Sequence, residues 1–145
     1  MTDDQAMCSC QVRIRSDPAE LAAVRERVSE IATAVGFGEK EVADIILAVD
    51  EALTNVIRHG YGGPCEESID IHIERSGLDG VEAFSVSIRD FGKQFDPDRI
   101  VGRALENVRP GGLGIHIMRK VMDQVNYAPA DGGGMKLHMI KKKSR

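Results

Sequence analysis

The stretch SIDIHIERSGLDGVEAFSVSIR, residues 68–89, decides the fold class. In 68–74 and again in 81–89, apolar and polar residues alternate, the two-residue period of a strand with one buried face. Only 76–80, rich in Gly and Asp, separates the two runs. That is a turn, far too short for the crossover that parallel strands need, so the pair is antiparallel.

Helices and further strands extend outward from this hairpin. Upstream, 11–15 (QVRIR) alternates and reads as a strand, and Ser16-Asp17-Pro18 reads as a helix start with Asp at the cap. Leu21, Val24, Val28, Ile31 and Val35 then recur at helical spacing until Gly36 and Gly38. A second helix is expected over 39–58, with Val42, Ile45, Ile46, Val49, Leu53 and Val56 as its apolar stripe. Downstream, 90–98 reads as a loop, 100–108 fits a short helix or a loop, and 109–114 reads as a glycine-rich loop. A helix is expected over 113–122, then closing strands over 124–127 and 135–141 around Gly132-Gly133-Gly134. Strand, two helices, two strands, helix, two strands is an α+β order: a two-layer sandwich with helices on one face of a mixed, mostly antiparallel sheet.

The bulk properties bound the function. With 145 residues, 42% of them hydrophobic, one domain over 1–145 with one core is expected. A net charge of −4 gives no reason to expect nucleic acid as a partner, and Lys141, Lys142, Lys143 and Arg145 read as a solvated end. No apolar run reaches membrane-spanning length, and residues 1–5 are acidic and polar, unlike a signal peptide, so no membrane partner and a cytoplasmic location are expected. Cys8, Cys10 and Cys65 lack the spacing of a disulfide framework or a zinc set and read as ordinary strand and loop residues.

Four segments could carry chemistry. On the second helix Glu51, Asn55 and His59 stand at i, i+4 and i+8, along one edge. A carboxamide oxygen suits Mg²⁺ and a carboxylate one turn away suits a general base, although a solvated edge would look the same. Asp90-Phe91-Gly92 ends an apolar strand with a carboxylate that could accept from an adenine amino group, or simply with a turn. Arg109-Pro110-Gly111-Gly112-Leu113-Gly114 opens a helix whose first amides could hold phosphate, although it lacks the Gly-Lys-Ser/Thr ending of a Walker loop. Gly132-Gly133-Gly134 reads first as a hairpin turn.

In this order and spacing the four segments resemble the boxes of the GHKL ATPase superfamily, over about 12–142. Within it, EALTNVIRHGYGG, RDFGKQFDP and GGLGIHIMRKVMD are similar to the anti-sigma-factor serine kinases. The resemblance implies ATP and Mg²⁺ as ligands, Glu51 as general base and Asn55 as Mg²⁺ ligand. It implies Asp90 and Gly92 at the adenine, and a lid over the phosphates formed by Arg109, Gly111, Gly112, Leu113 and Gly114. It further implies phosphorylation of a serine on an anti-anti-sigma partner of the STAS type, sequestration of a sigma factor, and a homodimer. Gln94 and Met135 depart from the superfamily pattern, where glycine and threonine are common. Other readings are a non-catalytic nucleotide-binding module, a stand-alone histidine-kinase-type ATPase domain, and an α+β domain whose glycines are only turns.

Overall fold

The computed structural model describes residues 9–93 and 110–143, with no side chains described for 110–115. Strand β1 (Ser9–Ser16) leads through a 3-10 turn (Pro18–Glu20) into α1 (Leu21–Val35). Helix α2 (Glu39–Asn55) continues into a π turn (Val56–Gly60), followed by β2 (Cys65–Leu78) and β3 (Val81–Arg89). Helix α3 (Pro110–Val121) and the hairpin of β4 (Gln124–Pro129) and β5 (Met135–Lys142) complete the fold. The sheet runs β1-β2-β3-β5-β4, and every described pair is antiparallel, so the expected mixed character gives way to a purely antiparallel ladder.

The period-two pattern sends Ile69, Ile71 and Ile73 of β2, Phe84, Val86 and Ile88 of β3, and Leu137 and Met139 of β5 to one face. The helices cover that face, and their buried stripes of Val24, Val28, Ile31, Ile45, Val49 and Leu53 complete a single core. The other face carries Arg13, Asp70, His72, Ser87, Arg89 and Lys136. No helix among the described residues is long and apolar enough to cross a membrane.

Local chemistry sets the element ends. Asp17 accepts from the Ala19 N–H at 2.9 Å, but the first turn is 3-10, so α1 proper begins at Leu21, the first residue of its apolar period. Gly36 takes φ 113° and Phe37 N–H reaches back to the Ala32 carbonyl, a Schellman-type closure that buries Phe37. The hairpin turn narrows to Asp79 and Gly80, whose positive φ angles of 54° and 79° fit the right-handed twist of the flanking strands.

Two expectations are corrected here. The second helix is not α-helical to residue 58: Tyr61 N–H bonds the Val56 carbonyl at 3.0 Å, an i→i−5 closure, and the helical edge of Glu51 and Asn55 stops before the exposed His59. The glycine-rich loop at 109–114 is helical from Pro110 onward. Proline at the first helical position has its φ preset, and the apolar stripe of 115–122 draws the helix back through the glycines despite their entropic cost. Arg109, Gln94 and the segment 100–108 lie outside the described residues.

Leu53 is fully buried between the helical layer and the sheet. Leu53→Ala should lower unfolding stability by about 2–5 kcal/mol in urea titrations; a change under about 1 kcal/mol would mean that the core is not closed at this point.

Candidate functional site

The site begins at the C-terminal end of β3. Asp90 is only 3% exposed, uncommon for a carboxylate, and it links three separate segments. Its N–H donates to the Met135 carbonyl at 3.0 Å, and its Oδ1 accepts from Met135 N–H at 3.2 Å and from Gly92 N–H at 2.9 Å. Oδ2 makes no hydrogen bond among the described residues. Burial raises the Asp90 pKa above the ordinary carboxylate value, with the two backbone N–H donors and Arg89 opposing that rise.

Glycine makes the approach of these segments possible. A Cβ on Gly92 would lie 2.2 Å from the Gly60 carbonyl oxygen, and one on Gly134, at φ 78°, would lie 2.0 Å from the Asp90 carbonyl oxygen. The π turn delivers Gly60 and Tyr61 to the same point. Lys93 N–H donates to the Gly60 carbonyl at 2.9 Å. The Tyr61 hydroxyl donates to the Ser68 carbonyl at 2.6 Å and accepts from Phe91 N–H at 2.7 Å.

The second part of the site lies on α2, which packs beside α3. Asp50 and Glu51 are adjacent carboxylates in different situations. Asp50 is held by Arg25 of α1 at 2.8 Å and 3.0 Å, whereas Glu51, half-buried, has no partner among the described residues. One turn on, Asn55 Nδ2 is buried without a well-formed hydrogen-bond partner. An unsatisfied buried amide costs about 1–3 kcal/mol. Asn55 lies beside the buried Tyr127 hydroxyl, whose pKa is raised by burial, with Arg119 and then Asn55 opposing the rise and the Asp90 charge adding to it.

Gly92 is bonded to Asp90, Asn55 lies beside Tyr127, and Glu51 stands one helical turn before Asn55 on α2. Gly111, Gly112, Leu113 and Gly114 form the first turns of α3, while Arg109 falls outside the described residues. Gly60, Tyr61 and Tyr127 were not singled out from sequence. Gly60 and Tyr61 enter only within the stretch EALTNVIRHGYGG, and the closing strand over 124–127 gives Tyr127 no more than a strand position. A hollow of about 440 Å³ lies across the sheet, lined by Arg13, Asp70, His72, Ser87, Arg89 and Lys136 among others.

The model of the histidine kinase-like ATPase domain family matches residues 14–141. The chain is 30% identical over 129 residues to the serine-protein kinase RsbW of Listeria monocytogenes serovar 1/2a, covering 83% of this chain and 80% of that protein. It is 26% identical over 132 residues to the serine-protein kinase RsbW of Bacillus subtilis strain 168, covering 84% and 79%. Among solved structures, a crystal structure of the RsbU and RsbW domains of a Mycobacterium tuberculosis protein superposes with a TM-score of 0.66 at 18% identity. That match takes in 94% of this chain and 33% of the other, and it is a likeness of fold.

A raised carboxyl pKa in the folded state has a definite sign. Below the ordinary carboxylate pKa Asp90 is protonated in both states, and the stability associated with the raised value is fully present. As pH rises through the interval up to the folded pKa, the unfolded state loses its proton first and that stability is lost. Asp90→Asn should therefore gain stability relative to wild type as pH rises through this acid window, as measured by urea titrations at a series of pH values. Parallel curves for the two proteins would contradict the burial of a charged Asp90.

Proposed function

Since the chain belongs to the histidine kinase-like ATPase family, we propose that it is an ATP-dependent serine-protein kinase, and that its substrate is a serine on an anti-anti-sigma partner of the STAS type. Two curated relatives are named serine-protein kinase RsbW, which supports the reaction class. The reading rests above all on the contrast between Asp50 and Glu51. Arg25 neutralises Asp50, and Glu51 is left as the carboxylate able to take a proton, one helical turn from an amide whose nitrogen is buried without a partner.

The chain's residues fit the ligands that this chemistry needs. Asp90 Oδ2 would accept from the exocyclic amine of adenine, while Gly92 and Gly134 allow the surrounding backbone to close on Asp90. The first amides of α3, at Gly111 and Gly112, would face phosphate, aided by the positive end of the helix dipole. Asn55 Oδ1 would hold Mg²⁺, which when bound offsets the phosphate charge. Glu51 then accepts the proton of the substrate serine as its Oγ bonds to the γ-phosphorus and the bond to the ADP oxygen breaks. Products are phosphoserine, ADP and a proton on Glu51 that passes to solvent. Sequestration of a sigma factor, governed by the partner's phosphorylation, and a homodimeric state complete the proposal.

Two variants test it. Glu51→Gln should lower phosphotransfer from labelled ATP to a STAS-domain substrate by roughly 10²–10⁴-fold while ATP and partner binding persist. Transfer at the wild-type rate would refute the base role, and a wild-type protein that binds the partner and ATP but never transfers phosphate would make it a binding module. Asn55→Ala should lose Mg²⁺-dependent ATP affinity in calorimetry while the helix survives, because alanine favours helix. Full Mg²⁺-dependent binding by this variant would remove Asn55 from the site.

A further inference from the structure

Arg89 is the last residue of β3, and its side chain leaves the sheet on the open face, opposite to that of Asp90. It does not project into solvent. Nε donates to the Asp90 carbonyl at 3.1 Å, and Nη2 donates to the Asp131 carbonyl at 2.9 Å and the Gly133 carbonyl at 3.1 Å. The guanidinium also lies 4.5 Å from the centre of the Phe91 ring. One planar cation therefore gathers three carbonyls from two segments that meet at Asp90.

Those carbonyls are within reach because the β4–β5 turn is left-handed: Gly132, Gly133 and Gly134 have φ of 87°, 107° and 78°. Such a run of glycines has high conformational freedom, and within the turn the Ala130–Gly134 and Gly133–Ala130 backbone bonds, at 3.0 Å and 3.3 Å, hold it. Directly after the turn comes Met135, whose N–H fixes Asp90 Oδ1. We infer that Arg89 is a positioning residue for base recognition: from the far side of the sheet it locks the glycine turn so that Asp90 is held in place to select adenine. The inference rests on the nucleotide-binding reading above. Lysine could keep the charge but not the fork that reaches both strands of the junction.

The test separates base from phosphate. Affinities for ATP, GTP and inorganic tripolyphosphate, each with Mg²⁺, are measured by calorimetry for wild type, Arg89→Ala and Arg89→Lys, with thermal melts in parallel. Arg89→Ala should weaken ATP binding by roughly ten- to a hundred-fold, the range of one charged hydrogen bond put out of register. Its ATP-over-GTP preference should fall toward unity, and tripolyphosphate binding should stay at the wild-type level. Arg89→Lys should recover part of the preference. Unchanged ATP affinity and base preference in Arg89→Ala would overturn the inference while leaving the nucleotide site in place, and so would an equal loss for ATP and tripolyphosphate. If Arg89→Ala does not fold, Arg89→Lys decides, and a wild-type base preference in that variant overturns the inference. A wild-type protein that binds ATP no better than tripolyphosphate removes the nucleotide reading and this inference with it.

Discussion

Asp90 and Met135 grip one another twice, once through the Asp90 N–H and once through its carboxylate Oδ1. The first bond continues the β3–β5 ladder by one step, and the second ties a buried charge to the end of that ladder. A carboxylate so enclosed carries a desolvation cost, which two backbone N–H groups offset only in part, as its raised pKa records. The π turn, the D-x-G bend and the triple-glycine turn are all arranged around this charge. Each approaches at backbone distance because glycine stands at the contact.

The alternation in 68–89 made the central hairpin legible, and the sheet followed from it because period two admits one buried face. The helical layer was equally clear, since its apolar residues recur at 3.6. The widening of α2 at Val56–Gly60 was not, because its apolar residues fit an α-helix and the extra residue per turn is imposed by docking onto the 90–93 segment. Propensity also misplaced the start of α3: three glycines outweighed the proline that presets the first turn. In the site, Asp90 and Gly92 were legible as a strand ending in a carboxylate. Tyr61, Tyr127 and Arg89 were not, because their roles depend on contacts across 30 or more positions of sequence, such as Phe91 N–H to the Tyr61 hydroxyl.

Division of labour between neighbours recurs along the chain. Asp50 turns to Arg25 and braces α1 against α2, while Glu51 faces elsewhere. Arg89 and Asp90 leave β3 on opposite faces, one holding the glycine turn and the other receiving its amide. Helical spacing of 100° in the first case and strand alternation in the second allow adjacent residues to serve separate structural ends without interfering.

The strand order has a consequence for colloidal behaviour. A five-stranded sheet whose outer members are β1 and β4 presents two borders at which another chain's strand could add, the usual nucleus of ordered aggregates. The β1 border carries arginines at alternate positions, Arg13 and Arg15, each committed to an acidic residue on a neighbouring segment, so an incoming strand would meet charge. The β4 border is six residues long and ends in Pro129, which has no N–H to offer. Among the described residues, both borders are thus poor templates for an added strand.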